Sequence, residues 1–327
     1  MILTLTPNPS LDISLAVETM ERGGVCRATG IRREAGGKGI NVAHVIAKAG
    51  HHTQAIAPCG QHDPFGLAVG HLGIDFTAVS IESAVRTNTA ITEADGTTTK
   101  INERGPHLST EERETLENEL YRLAPHAQAI VLAGSLPPGL PDNFYAHLVT
   151  ALRSRPDTGN TLLAVDTSDA ALTALGAELD AAAPSVMKPN AFELAQLTGA
   201  DGNHLESSAA DGDFTPVVDA AHTLNEHGVA EVLITLGGSG ACLVTAGGVW
   251  AATPPAVTVR STVGAGDSSL AGYIMARVEG RSPADCLRQA VAYGSAAAAL
   301  PGTGLPSPTD IDLAGTTVFP LNQNSLK

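Results

Sequence analysis

The chain has 327 residues, of which 43% are hydrophobic, 16% charged and 3% aromatic. This composition allows a large apolar core and excludes a disordered or collagen-like chain. The 34 acidic and 19 basic residues give a formal net charge of −15, and aromatic side chains are too few for base stacking. We therefore expect no nucleic-acid partner and no association with anionic membranes.

Strand-like apolar runs alternate with helical patterns along most of the chain. The apolar runs predict strands at 2–5, 55–59, 129–133, 162–166, 232–236 and 241–245. Amphipathic periodicity predicts helices at 39–49, 110–124, 142–153, 190–198 and 216–227. This alternation is typical of an α/β fold with a mostly parallel sheet covered by helices on both faces and ligands at the carboxyl ends of its strands.

Four segments depart from that rhythm. Residues 12–35 and 86–101 alternate apolar with polar side chains, and Asp95-Gly96 is a hairpin signal, so we expect antiparallel strands apart from the main sheet. The Gly-, Asp- and Ser-rich residues 199–215 predict a surface loop, and 305–327 predict a polar, loosely attached C-terminal tail. No internal repeat is apparent, which favours a single domain over 1–327.

The cysteines and the amino terminus indicate the compartment. The four cysteines are far apart and form no Cys-x-x-Cys pair, which argues against a zinc ribbon or a disulfide framework. The apolar residues 1–5 lack the basic start and the long apolar run of a signal peptide, and no segment has the length of a membrane span. A cytoplasmic protein with reduced thiols is expected.

The most informative motif is Ser-Thr-Val-Gly-Ala-Gly-Asp-Ser-Ser at 261–269. It leads into an apolar helical pattern, so Gly264 and Gly266 leave backbone N–H groups uncovered at a helix N-terminus, where anions bind. Asp267 falls in the first turn of that helix. A carboxylate beside an anion hole suggests a base that deprotonates an alcohol while the hole binds a phosphoryl group. An ordinary helix-capping role for Asp267 is the alternative.

Three further motifs follow one another in the chain, at 36–41 (Gly-Gly-Lys-Gly-Ile-Asn), 134–139 (Gly-Ser-Leu-Pro-Pro-Gly) and 188–193 (Lys-Pro-Asn-Ala-Phe-Glu). Together with 261–269 they make the chain resemble the PfkB, or ribokinase-like, carbohydrate kinases, and within them the branch that includes 1-phosphofructokinase and tagatose-6-phosphate kinase. The resemblance runs from Leu3 to Gly304. It implies a ribokinase-like three-layer sandwich with a small antiparallel β lid formed by about 12–35 and 86–104. It also implies a homodimer through that lid.

The resemblance assigns roles at the acceptor site. Asp267 would accept the proton of the sugar hydroxyl. The anion hole would consist of the backbone N–H groups of Gly264, Ala265 and Gly266. Three positions would bind the sugar: Asp12, Gly37 and Asn41.

Cations inside motifs are informative because the chain has few of them. If the hairpin forms, Arg86 and Lys100 stand at opposite ends of paired strands, close in space. With Lys38 they would bind the phosphate that the sugar already has, and the Ser135 hydroxyl is a further partner of that phosphate. Asn102 and Glu103 are nearby candidates that the sequence does not rank. The alternative for each single cation is a solvated surface charge.

A second group of residues would bind the nucleotide. Lys188 precedes Asn190 and Glu193, which are three apart on a helix and can face one phosphate or one Mg²⁺-bound water. A capping box, with Asn190 as the cap, explains that spacing equally well. By resemblance, Glu193 serves Mg²⁺ through water. Positions for the nucleotide phosphates, ribose and adenine would be Thr235, Gly237, Gly240, Val291 and Ser295.

With these residues, the resemblance implies an ATP- and Mg²⁺-dependent kinase that phosphorylates the free primary hydroxyl of a ketohexose monophosphate, with fructose 1-phosphate as the leading substrate. Tagatose 6-phosphate and a 6-phosphofructokinase activity are alternatives within the family. A non-catalytic sugar-phosphate sensor and a dehydrogenase are alternatives from other classes. A dinucleotide-binding fold is disfavoured because Thr6-Pro7-Asn8-Pro9 occupies the turn where Gly-x-Gly-x-x-Gly would be.

Overall fold

The computed structural model describes residues 1–321. Its strands are β1 (Ile2–Leu5), β2 (Ser10–Ala16), β3 (Gly30–Gly36), β4 (Thr53–Gly60), β5 (Asp75–Ile81), β6 (Arg86–Thr92), β7 (Thr98–Asn102), β8 (Ala129–Ala133), β9 (Leu162–Asp166), β10 (Val186–Met187), β11 (Glu231–Thr235), β12 (Ala241–Thr245), β13 (Gly248–Thr253) and β14 (Thr317–Pro320). Its α-helices are α1 (Lys38–Lys48), α2 (Pro64–Gly70), α3 (Thr110–Leu123), α4 (Phe144–Ser154), α5 (Asp169–Ala177), α6 (Leu179–Ala182), α7 (Ala191–Thr198), α8 (Gly202–Ala210), α9 (Thr215–Glu226), α10 (Ala265–Val278) and α11 (Pro283–Ala299).

The main sheet has ten strands in the order β14-β13-β12-β11-β10-β9-β8-β1-β4-β5. Seven neighbouring strands of this sheet are parallel: β11, β10, β9, β8, β1, β4 and β5. The other three, β12, β13 and β14, extend the sheet beyond β11 with antiparallel pairings. The six strands predicted from the sequence all belong to this sheet. The predicted mostly parallel α/β sheet is confirmed.

Alternation of side chains along each strand divides the core into two layers. In β1, Leu3 and Leu5 pack with α3, α4 and α9, whereas Ile2 packs on the opposite face with α1, α10 and α11. Because both faces of the sheet are covered by helices, the central strands β8 and β9 contain no polar residue before Asp166, the last residue of β9. This arrangement is the predicted three-layer sandwich.

A second, four-stranded sheet has the order β3-β2-β6-β7 and forms the predicted small lid. The outer pairs, β2 with β3 and β6 with β7, are antiparallel, whereas the central pair, β2 with β6, is parallel. Because β2 follows β1 after a short turn, the lid starts at the carboxyl edge of the main sheet. The residues of the lid therefore lie beside the ends of the parallel strands.

Two predictions about loops are wrong. Residues 199–215 contain helix α8, because Asp201 caps its first N–H groups and Leu205 and Ala209, one turn apart, are buried in the core. The tail is not loose over its first part, since β14 pairs with β13 and Phe319 packs edge-on against Phe214. The remainder of the predicted tail, 322–327, lies outside the described residues.

No helix in the described part of the chain is long and apolar enough to cross a membrane. The cytoplasmic location stays a prediction.

Candidate active site

The catalytic candidate Asp267 lies in the first turn of α10. The residue before this helix, Gly264, has a φ of +75° and caps the helix without a side chain, so no side chain accepts from the first N–H groups of the helix. Of these groups, the N–H of Ala265 donates to the carbonyl of Thr262 at 3.4 Å. Asp267 is only 8% exposed. Its Oδ2 accepts a hydrogen bond from Nδ2 of Asn41, 2.8 Å away in α1. The sequence had left a capping role open, but Gly264 occupies the cap position and Asp267 bonds to another helix.

The environment of Asp267 tunes its basicity. Burial and the nearby carboxylate of Asp166 raise the pKa of Asp267 to about 6, against the opposing effects of Lys38, the Asn41 hydrogen bond and Lys188. A carboxylate with a pKa near 6 is ionised at neutral pH and is a stronger base than an exposed aspartate. This is the pKa range that general-base catalysis requires.

A buried carboxylate that the sequence analysis missed organises two of the predicted lysines. Asp166, the last residue of β9, contacts Nζ of Lys38 at 2.7 Å and Nζ of Lys188 at 3.1 Å. Burial alone would raise the pKa of Asp166, but Lys188 and Lys38 hold that pKa below its ordinary value. Burial alone would lower the pKa of Lys38, but the carboxylates of Asp166, Glu193 and Asp267 raise it instead. Lys38 is therefore held in its cationic form next to the base.

Lys188 also lies against the anion hole. A Cβ atom built on Gly266 would be 3.3 Å from Nζ of Lys188, so the missing side chain leaves room for the ammonium group beside the backbone N–H groups. The site thus combines backbone donors, a cation and a buried base within one turn of α10. Such a combination can stabilise negative charge on a phosphoryl group during its transfer.

The sugar candidates meet at the base of the lid. Oδ1 of Asp12 accepts hydrogen bonds from Oγ of Ser10 (2.7 Å) and Nδ2 of Asn88 (3.1 Å), which fix the orientation of the carboxylate. A Cβ on Gly36 would overlap Oδ2 of Asp12, so this position needs glycine. Gly37 caps α1, which brings Asn41 one turn later toward Asp267. Asn88 is a further site residue that the sequence analysis missed.

The predicted group of three cations for the sugar phosphate is not brought together. Lys38 binds Asp166, while Arg86 lies opposite Ser10 near the carboxylate of Asp12. Lys100 is exposed and lies opposite Ala90, four residues along β6 from Arg86. Four residues of strand span about 13 Å. The expected proximity of Arg86 and Lys100 is therefore wrong, because the hairpin closes in a register that pairs Lys100 with a more distant residue.

Ser135 lies beside the turn that follows β1. Its Oγ accepts a hydrogen bond from Nδ2 of Asn8, 3.2 Å away, and Asn8 is buried. Ser135 therefore has a fixed position next to the start of the lid strand β2.

On the nucleotide side the structure contains the capping box. Oδ1 of Asn190 accepts from the backbone N–H of Glu193, and Oε2 of Glu193 accepts from the backbone N–H of Asn190, both at 2.9 Å. The charge of Glu193 also acts on Lys38, so this helix start faces the lysine pair. Thr235, the last residue of β11, forms a parallel β-bridge with Asn190. The N–H of Thr235 donates to the carbonyl of Pro189 at 3.0 Å.

The remaining nucleotide candidates surround the same edge of the sheet. Gly237 and Gly240 form the turn between β11 and β12. Val291 and Ser295 are buried on α11, which packs along α10. No group of three or more His, Cys, Asp or Glu residues that could hold a metal occurs within residues 1–321. The carboxylates present fit a Mg²⁺ ion bound chiefly by phosphates and water, with Glu193 as the protein partner.

A cavity of about 530 Å³ lies beside the candidates for sugar binding. Asp12, Asn41 and Gly264 line one end, and the lid strand β3 and the 300–305 segment close its sides. Its volume is in the range of small-molecule sites. The carboxylate of Asp12 and the turn at Gly264 that precedes Asp267 therefore line the same cavity.

Known proteins share this fold and about a third of the sequence. The pfkB family carbohydrate kinase model matches residues 9–310. A 1-phosphofructokinase of Escherichia coli is 33% identical over 308 residues, 93% of each chain, and one of Haloferax volcanii is 35% identical over 316 residues, 95% of each chain. The crystal structure of phosphofructokinase-2 from Escherichia coli in complex with substrates and products is 30% identical, with a TM-score of 0.82 over 94% of this chain and 96% of that chain. The chain belongs to the pfkB family of carbohydrate kinases.

Proposed function

We propose that the protein transfers the γ-phosphoryl group of ATP to the free primary hydroxyl of fructose 1-phosphate, forming fructose 1,6-bisphosphate. The observation that supports this most strongly is the buried Asp267, hydrogen-bonded to Asn41 and adjacent to a helix N-terminus and two lysines. Kinases of this family use ATP. The relatives named 1-phosphofructokinase favour fructose 1-phosphate over tagatose 6-phosphate.

The chemistry follows from the geometry around Asp267. Its carboxylate accepts the proton of the sugar hydroxyl while that oxygen forms a bond to the γ-phosphorus and the bond to ADP breaks. Asn41 orients the carboxylate. The N–H groups of 264–266 and the ammonium of Lys188 stabilise the charge on the transferred group.

The substrates occupy opposite sides of this centre. Asp12 accepts hydrogen bonds from sugar hydroxyls, and Gly37 and Asn41 contact the ring. Arg86 and Ser135 lie at the root of the lid, where they bind the phosphate of the sugar. The nucleotide lies along Thr235, Gly237 and Gly240, with Val291 and Ser295 beside adenine. Glu193 would hold Mg²⁺ through water, and the ion would supply positive charge to neutralise the phosphates of ATP.

The lid supports a homodimer. Its segments 12–35 and 86–104 contain seven acidic and seven basic residues, whereas the whole chain has a net charge of −15. Large apolar side chains are exposed on it, with Val25 at 82%, Ile101 at 57% and Ile31 at 53%. A surface with no net charge and several exposed apolar side chains lets two copies of an acidic protein associate without charge repulsion. Ile31→Glu should yield a monomer in light scattering, and an unchanged mass would contradict the lid interface.

The test of the catalytic assignment is Asp267→Asn, which keeps the size of the side chain and removes its basicity. We expect ADP release to fall to background while calorimetric binding of fructose 1-phosphate stays close to that of the wild-type protein. Asp219→Asn, an exposed change in α9, is the matched control. Turnover retained by Asp267→Asn would remove Asp267 as the base. Full binding of sugar phosphate by an inactive wild-type protein would instead favour the sensor.

A further inference from the structure

A short segment after α11 closes one side of the cavity beside Asp12. We call residues 300–305 the strap, and Leu300 and residues 303–305 line the same cavity as Asp12 and Asn41. The strap turns tightly, because a Cβ on Gly304 would be 3.1 Å from Cβ of Leu300. It contacts both the lid strand β3 and the start of α10, which are far apart in the sequence.

A hydrogen bond attaches the strap to the lid. Oγ1 of Thr303 donates to Oε2 of Glu34 in β3. Glu34 lies directly opposite Asp12 in the antiparallel β2–β3 pair, so the two carboxylates share one face of the lid. Like charges in opposite positions destabilise a sheet, and the hydrogen bond from Thr303 offsets part of that cost. This bond therefore fixes the strap next to the sugar candidate Asp12.

The other end of the strap packs against the anion hole. The side chain of Leu305 is only 8% exposed and belongs to the same apolar cluster as Leu270 of α10. A Cβ on Gly264 would be 2.7 Å from Cδ2 of Leu305, so the leucine lies against the turn that leads into α10. Nζ of Lys48 donates to the carbonyl of Leu305 and attaches the same residue to α1.

The turn at Gly264 depends on support from outside itself. Hydrogen-bond donors stabilise a transition state when they are held in position before the charge develops. Gly264 and Gly266 make the turn less rigid, because glycine has the greatest conformational freedom of all residues. No side chain caps the start of α10. The packing of Leu305 against Gly264 therefore limits the motion of the backbone N–H groups that form the anion hole.

We propose that the hydrogen bond between Thr303 and Glu34 positions the anion hole for phosphoryl transfer. Thr303 and Glu34 are positioning residues, because they act through the strap and Leu305 and not on the reacting atoms. The lid strand that borders the sugar site thus supports the turn that stabilises the transferred group. This inference rests on the proposed function and adds a connection between the two halves of the site.

Steady-state kinetics of Thr303→Val test this role, because valine keeps the size of the side chain and lacks the hydroxyl. We expect kcat with ATP and fructose 1-phosphate to fall roughly tenfold, as the loss of one hydrogen bond to a charged group predicts. KM for ATP should change by less than about twofold, because the anion hole acts on charge that develops in the transition state. Thr303→Ser should restore kcat. The matched control is Thr309→Val, an exposed position shortly after the strap whose hydroxyl contacts Oγ of Ser307, and it should keep the wild-type kcat.

A double-mutant cycle shows whether the two side chains act through one bond. Glu34→Ala should lower kcat as Thr303→Val does, and the double variant should be no slower than either single variant. Losses that multiply in the double variant would show independent effects and overturn the proposal. A kcat of Thr303→Val equal to that of wild type, or an equal fall in Thr309→Val, would also overturn it.

Hydrogen exchange of the free protein gives a readout that does not depend on activity. Thr303→Val should speed exchange of the backbone amides at 264–267 as well as those of the strap, and leave α4, on the opposite face of the sheet, unchanged. Faster exchange confined to the strap, or equally increased in α4, would contradict the proposal. If wild type phosphorylates no ketohexose phosphate but the amides at 264–267 still respond to Thr303→Val, the connection stands and the proposed substrate falls.

Discussion

Replacing Asp267 with asparagine should abolish turnover and at the same time stabilise the folded protein at neutral pH. Burial and Asp166 raise the pKa of Asp267 from an ordinary 3.8 to about 6. At pH 7 the carboxylate is ionised in the folded and the unfolded protein, and a difference of about two between the two pKa values costs the folded state about 3 kcal/mol. The neutral amide does not have this cost. Below about pH 4 the carboxyl is protonated in both states, so the cost disappears.

Urea unfolding followed by circular dichroism measures this difference. We expect Asp267→Asn to raise the free energy of unfolding by about 3 kcal/mol at pH 7 and by about half of that at pH 5. The control Asp219→Asn, in an exposed part of α9, should differ little from wild type at either pH. An Asp267→Asn protein that is less stable than wild type, or equally stable at pH 7, would refute the claim that the fold holds this carboxylate ionised against burial.

Three more predictions follow from the site. The kcat/KM of wild type should fall below about pH 6, where Asp267 becomes protonated. Asn41→Ala should shift this acidic limb of the pH–rate profile to higher pH, because the variant lacks a hydrogen bond that favours the ionised form of Asp267. An acidic limb at the same pH in both proteins would contradict this. Arg86→Ala should raise KM for fructose 1-phosphate far more than KM for ATP, and equal increases would remove Arg86 from the phosphate site. Asp166→Asn should lower the free energy of unfolding at pH 7 by about 3 to 5 kcal/mol, because two lysines lose their buried partner. That loss should shrink as pH falls through the low pKa of Asp166, and unchanged urea unfolding at pH 7 would contradict it.

Most of the main sheet could be predicted from the sequence because its strands are buried on both faces and are therefore short, continuous apolar runs. Helix α8 could not, because its Gly-, Asp- and Ser-rich residues are typical of loops, and it is stabilised by the Asp201 cap and by the burial of Leu205 and Ala209. Strand β14 was not predicted because it has only four residues and lies in a segment expected to be a polar tail; its pairing with β13 and the contact of Phe319 with Phe214 hold it in the sheet.

Some residues of the site could likewise be predicted from the sequence and others could not. The motif residues were found because each follows a strand or begins a helix. Asp166 had a detectable signal, since it is a charged residue at the carboxyl end of a buried strand, but its two lysine partners come from distant parts of the chain. The separation of Lys100 from Arg86 depends on the hairpin register, and the position of Asp95-Gly96 alone did not determine which residue faces Lys100.

The most direct test of the account is the rate of ADP release by the purified protein with ATP and Mg²⁺ in the presence of each of four acceptors: fructose 1-phosphate, tagatose 6-phosphate, fructose 6-phosphate and free fructose. The account predicts the highest kcat/KM for fructose 1-phosphate, at least about a hundredfold above free fructose, which corresponds to about 2.7 kcal/mol of transition-state stabilisation. A higher value for either of the other sugar phosphates would contradict the substrate, and comparable values for free fructose would contradict the phosphate site. No ADP release with any acceptor would contradict the proposed activity.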